Sequence, residues 1–289
     1  MTYHKLFLAI AVLAFTVMAC SFTVNLPFTN LKTSPTKTDS IDIPLPTEAG
    51  TVTDIELAFG AGKLDVNPGA QEALVSGSAI YNVEEFKPRI NQEQGKVRIS
   101  QGDVDIKGIP SIGGDVKNEW DFKLGVTPIN LTIAAGAYQG RFELGGLDIR
   151  SLHITDGAAE AEVSFSQANL GEMTTLRYET GASKVSLTGL GNANFEELIF
   201  KSGAGDYTLD FSGKLLRDAS VKVQAGLSSL TISIPPGTAA RLTVTGGLSH
   251  VEYTGVWETS GNAYIIPGEG PTLTLEVEMG AGNLSLRNP

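Results

Sequence analysis

The chain is poor in the residues that usually do chemistry. It has one cysteine, Cys20, and three histidines in 289 residues. A single cysteine forms no internal disulfide and no cysteine-based metal site. Beyond the first twenty residues only His153 and His250 remain, so a nucleophile–histidine–acid relay has little to draw on. HExxH, the phosphate-binding loop, GxSxG and a βαβ-type GxGxxG are all missing. Basic residues are scarce as well, 21 Lys and Arg against 32 Asp and Glu. That balance argues against nucleic acid and against a polybasic clamp on anionic lipid. Helical periodicity is nearly absent. The best candidate, Gly191 to Glu197, is short and leads straight into the strand Leu198-Ile199-Phe200.

The first twenty residues are different. His4 and Lys5 precede an apolar run from Leu6 to Val17, too short to span a bilayer comfortably but suited to the core of a signal peptide. Val17-Met18-Ala19-Cys20 follows and resembles the lipobox of bacterial lipoproteins, in which the cysteine thiol takes a diacylglyceryl group and becomes the first mature residue. The resemblance implies a signal peptide over 1–19, lipidation at Cys20, and a membrane partner reached through that lipid. Removing 1–19 takes away one Lys and no acid, which leaves 20 basic against 32 acidic residues, a net of −12. Residues 20–50 are rich in Thr, Ser and Pro and are expected to be a tether. A flexible tether of that length reaches on the order of 30 Å.

One short phrase dominates the rest: Gly-Ala or Gly-Leu, two turn residues, then apolar-x-apolar. It occurs at Gly60, Gly136, Gly157, Gly181, Gly203, Gly226, Gly247 and Gly280. From Gly136 to Gly247 the spacings are 21, 24, 22, 23 and 21. A fixed period in this range signals a solenoid, whose coils bury their apolar faces against one another. Around each phrase apolar and polar residues alternate, as in Val221, Val223, Leu230, Ile232 and Ile234, so the coils are strands. The expected fold is all-β: a parallel β-solenoid over 129–289, with a divergent N-terminal β region over 51–128 that caps it. Each coil should read strand, glycine turn, strand, polar corner, with positive φ or a close approach at the glycine and the Ala inside the bend. Val185, Tyr207, Leu230 and Val251 should form one ladder. The gap from Gly60 to Gly136 is about three periods, so it should hold further divergent coils.

Four tracts carry a family resemblance: DIELAFGAGKLDV (54–66), LVSGSAIYNVEEFKPRI (74–90), KVRISQ (96–101) and NEWDFKLGVTPINLTIAAGA (118–137). In this order, with Trp120, Pro128 and Gly136 as anchors, they resemble the toast-rack N-terminal family of bacterial envelope proteins. The later coils are similar to adhesin-type and LiaF-type β-solenoids. The resemblance implies a fold over nearly all of 51–289 and brings no catalytic residues with it.

Three constellations deserve weighing for chemistry. The fourth position of each phrase runs Lys63, Gln139, Glu160, Lys184, Asp206, Ser229, His250 and Asn283. Calcium needs six to eight oxygens, so a ladder of mixed sign predicts ion pairs rather than metal. Glu160 and Glu162, with Arg141, Lys184 and Arg177 one coil away, could mimic a polysaccharide-cleaving site, but such pairs are expected on any wet solenoid face. His153 and His250 are expected to face solvent. No metal and no cofactor are expected. The favoured function is a non-catalytic cell-envelope lipoprotein, exported and lipid-anchored, that presents a rigid solenoid for surface binding or scaffolding. The alternatives are an accessory sensor of envelope stress, as the LiaF-like resemblance implies, and a β-helix enzyme acting on polysaccharide. The coil from Gly247 to Gly280 is about ten residues longer than its neighbours. Its insertion holds Trp257 and Tyr264, an aromatic pair placed to meet an envelope glycan or protein partner, or to fold over the end of the core.

Overall fold

The computed structural model describes residues 33–48, 50–102, 116–247 and 250–288. Cys20, the signal peptide and most of the glycine-rich loop after Gly102 lie outside them. The strands are β1 (Lys37–Pro44), β2 (Thr53–Pro68), β3 (Ala73–Tyr81), β4 (Pro88–Glu93), β5 (Lys96–Gln101), β6 (Asn118–Leu124), β7 (Pro128–Glu143) and β8 (Asp148–Ser164). They continue with β9 (Met173–Thr188), β10 (Phe195–Asp210), β11 (Ala219–Ser233), β12 (Ala239–Gly246), β13 (His250–Thr254), β14 (Glu258–Ser260), β15 (Ala263–Ile266) and β16 (Thr272–Arg287). All sixteen belong to one sheet, and its long central strands β2, β7, β8, β9, β10, β11 and β16 are parallel neighbours in that order.

Each long strand carries one glycine phrase at its middle, and there the alternation of buried residues changes phase. In β7 the buried residues are Ile129, Leu131 and Ile133 before the phrase and Tyr138, Gly140 and Phe142 after it. In β11 they are Val221, Val223 and Ala225, then Ser228, Leu230 and Ile232. A strand that kept strict period two would send its second half's apolar residues to the opposite face. The phase change at the bend turns both halves onto one core. Phe200 and Tyr207, from the two halves of β10, meet edge to face at 5.3 Å. The connections behind them bury Leu144, Phe165, Leu190, Phe211 and Ile234, and Asn169 serves buried backbone there by accepting from Ile149 N and donating to Ile149 O and Gly171 O. The expected polar corner is borne out on its outer side, where Gln167, Glu172 and Lys214 are exposed, while these apolar residues turn inward.

The bend needs glycine because the coils touch backbone to backbone. A Cβ on Gly136 would lie 2.3 Å from the Gly60 carbonyl oxygen, and one on Gly203 would lie 2.5 Å from that of Gly181. Gly203 does not have a positive φ, so of the two expected roles for this glycine it is close approach that operates. The Ala that follows is exposed in Ala137, Ala158, Ala182 and Ala204, on the outside of the bend rather than inside it.

Three expectations about chain order change. Lys37–Pro44 is not tether: it is β1, antiparallel to β3, with Ile41 and Ile43 buried, because Ser-Ile-Asp-Ile is itself a period-two strand. Gly60 and Gly136 are direct neighbours, so no coils lie between β2 and β7. Strands β3 to β6 instead lie on the outer side of β2. There β5 and β6 pair with its two halves and form one split coil, covered by antiparallel β4 and β3. At the other end β16 enters the stack between β11 and the β12–β13 coil. The ladder therefore runs Val185, Tyr207, Leu230, Leu284, Val251, with a C-terminal residue inserted.

Candidate functional site

The last coil is built on β16. Its halves β12 and β13 flank Gly247, and the insertion after β13 folds into the antiparallel pair β14–β15, with β15 laid against β12. That placement brings three aromatic residues together at the end of the core. Tyr264 is centred 6.3 Å from Trp257 and 5.6 Å from Tyr253, edge to face in both cases. Trp257 and Tyr264 pack against the core, and Trp257 Nε1 donates to the Thr254 carbonyl at 3.0 Å. Such an aromatic group joins an apolar body to polar edges, which suits both closing a core and stacking on a ligand. Trp257 is only half-buried, Tyr253 is 48% exposed, and Val256 beside them is 67% exposed.

The other residues singled out in the sequence fall as follows. Glu160 pairs with Lys184 at 3.4 Å, and Arg141 lies 3.9 Å from Glu162, all on exposed second-half strands. Arg177 sits on the first half of β9, beyond the bend, where it pairs with Glu179 at 3.0 Å. The five residues thus do not converge. The fourth positions of the phrases do stack in register, in the order Lys63, Gln139, Glu160, Lys184, Asp206, Ser229, Asn283, His250. His250 is exposed, and His153 is partly exposed with its ring 3.1 Å from Thr155 Oγ1. Among the described residues no three His, Cys, Asp or Glu side chains group as metal ligands, and no helix is long and apolar enough to cross a membrane.

Sequence reasoning missed one cluster. Asp156, buried just before the phrase of β8, accepts from Tyr178 Oη at 2.7 Å and Tyr138 Oη at 3.3 Å on one oxygen. Its other oxygen accepts from Thr180 Oγ1 at 2.5 Å and Ser183 Oγ at 3.3 Å, and Ser183 Oγ accepts from Ala159 N. The signal was a lone acid where other coils carry Phe59, Ala135, Thr180, Ser202, Ala225, Gly246 and Met279. Burial pushes both phenols up, and the Asp156 charge adds to it. Groups driven away from neutrality are poor proton relays at neutral pH. The cluster reads as a satisfied polar pin in the core.

A search of the curated proteins gives no match. Among solved structures, a candidate cell adhesion protein from Clostridium sporogenes superposes with a TM-score of 0.50 at 20% identity, covering 88% of this chain and 100% of that one. A candidate lipid binding protein from Parabacteroides distasonis gives a TM-score of 0.38 at 11% identity, over 90% of this chain and 99% of that one. A candidate adhesin from Parabacteroides merdae gives 0.38 at 8% identity, over 89% and 99%. At such identity the first likeness speaks to fold alone. The family described as the N-terminal domain of toast_rack, DUF2154, matches residues 32–175 and again 172–233. The second match falls on the coils from β9 to β11, which repeat the bent strand of the first. With most of its length so matched, the chain belongs to the toast-rack N-terminal family.

Proposed function

We propose that this protein is a non-catalytic cell-envelope lipoprotein, exported and held to the membrane through Cys20. It presents its solenoid as a rigid scaffold, in an adhesin-like role, and meets an envelope glycan or a protein partner at the C-terminal end. The observation that carries this reading is the half-exposed group of Tyr253, Trp257 and Tyr264 at the end of the stack opposite β1. The chain enters at Thr33 beside β3, where Ser34 N donates to the Asn82 carbonyl. From β1 through the central strands to β13 there are ten interstrand steps. They separate the two ends by roughly 48 Å.

One superposable structure, from Clostridium sporogenes, is named for cell adhesion, which supports the role as a proposal. The polysaccharide-acting alternative has less support, since Arg177 lies across the bend from Glu160 and Glu162. The test is Trp257→Ala in cells that display the protein. Loss of attachment to glycan or protein surfaces, with the melting temperature lowered by only a few degrees, supports a contact end. Unchanged attachment refutes it. Cys20→Ser should leave a precursor that no longer partitions with detergent, and normal partitioning would remove the anchor from the account.

A further inference from the structure

Four half-coils terminate the stack, two at each end. Three have an antiparallel cover strand: β4 on β5, β3 on β6, and β15 on β12. The fourth, β13, pairs with β16 on one side and, among the described residues, with nothing on the other. Its hydrogen-bonding pattern follows from one contact. The Thr254 carbonyl accepts from Asn288 N at 2.9 Å, beside β16. Because N–H and C=O of a strand residue point the same way and alternate along the chain, His250, Glu252 and Thr254 address β16. Val251 and Tyr253 then present both groups to the open side. The same two residues stand over Leu284 and Leu286 of β16 on the core face, yet Val251 is half-exposed and Tyr253 is 48% exposed. The covered counterpart looks different. On β6, Trp120 and Phe122 lie opposite Ala79 and Gly77 of β3 and are 1% and 0% exposed.

We infer that the β13 edge is a docking site for an extended segment of a partner protein, which adds to it as an antiparallel strand. The partner's apolar residues at alternate positions cover Val251 and Tyr253. The molecule itself supplies the chemistry of this occupant, since β3, β4 and β15 are all short antiparallel strands. Main-chain bonds to Val251 and Tyr253 would give affinity, and the apolar floor would select period-two sequences over other extended ones. An open edge flanked by exposed Tyr253 and Val256 is otherwise a site of unwanted pairing. This inference rests on the reading of the C-terminal end as the contact end, and it narrows the partner to polypeptide rather than glycan.

The test titrates the purified full chain with a seven-residue peptide of alternating Thr and Val, N-methylated on alternate amides so that only one edge can pair. Tryptophan fluorescence and calorimetry are the readouts. Saturable one-to-one binding is expected. A peptide of the same composition with its valines grouped together should bind at least tenfold more weakly. Val251→Pro removes an outward N–H and should weaken binding tenfold or more, whereas Val251→Ala, which keeps it, should weaken binding severalfold at most. Absence of saturation, equal binding of the two peptides, or full binding to the Pro variant overturns the inference. So does a concentration-dependent dimer in sedimentation that Val251→Pro abolishes, because the occupant would then be a second copy. If the peptide binds while Trp257→Ala leaves cell attachment intact, the contact-end function falls and the edge assignment stands.

Discussion

The two ends of the stack are made by the same device and finished differently. At each end a long strand from the outer part of the chain lies one layer in. At the N-terminus β2 sits between β7 and the split coil β5–β6, and at the C-terminus β16 sits between β11 and the coil β12–β13. Threading β2 and β16 inward pins each on both sides, while β1, the first strand in chain order, stays at the edge beside β3. The difference lies in the cover. The N-terminal end has three extra strands and a fully buried Trp120 against Phe59 and Phe122. The C-terminal end has two short strands and a half-buried Trp257. A solenoid must protect its open edges, and this one protects its N-terminal end more completely than its C-terminal end.

The strongest way to break this comparison is deletion. Excising β16 should abolish cooperative folding, because it removes a layer from inside the stack. Excising only residues 258–266, bridged by a short linker, should leave a folded protein with a melting temperature lower by on the order of 5–10 °C. Circular dichroism melts decide it, and a cooperative melt without β16 would contradict the threaded order. The two tryptophans give the next largest effect. Trp120→Ala should cost about 4 kcal/mol in urea unfolding and Trp257→Ala about 1–2 kcal/mol, since the first empties a closed site and the second a half-open one. Equal costs would mean that the ends are equally closed.

Glycine rungs sharpen the same contrast. Gly203→Val should cost about 3 kcal/mol or more, because its Cβ would meet the Gly181 carbonyl oxygen in a layer held from both sides. Gly247 would meet the Gly280 carbonyl at 2.6 Å, but its coil is the outermost and can move. Gly247→Val should therefore cost nearer 1 kcal/mol. The polar pin between the ends gives an effect of intermediate size. Asp156→Asn should cost about 2 kcal/mol by turning an acceptor of two phenols into a donor. Tyr138 and Tyr178 are pushed up from 10.0, so the unfolded chain loses their protons first as pH rises. Their contribution is intact below pH 10 and lost progressively above it. A stability curve flat through pH 11 would contradict the buried phenols.

The period was legible because every rung repeats the same steric demand. Close backbone approach tolerates only glycine, and the flanking apolar residues must keep alternating. β1 was legible too, in Ser40-Ile41-Asp42-Ile43, but the surrounding Thr, Ser and Pro made it look like tether. Strand order at the ends was not legible. Whether Leu230 stacks on Val251 or on Leu284 depends on which chain segment enters the gap, and both offer the same apolar residue to the ladder. Trp257 and Tyr264 stood out as an insertion, whereas Tyr253, which completes their group, looked like an ordinary strand residue. Asp156 could have been found as the lone acid at its ladder position, but only once the register was known.

Site-resolved hydrogen exchange tests the central claim, that one end is closed and the other half open, in a single measurement. Amides of β6 and β16 should be strongly protected. In β13, Glu252 and Thr254 should be protected while Val251 and Tyr253 exchange rapidly, since only the former pair address β16. Uniform protection along β13, or a β16 that exchanges as an edge strand does, would contradict the account.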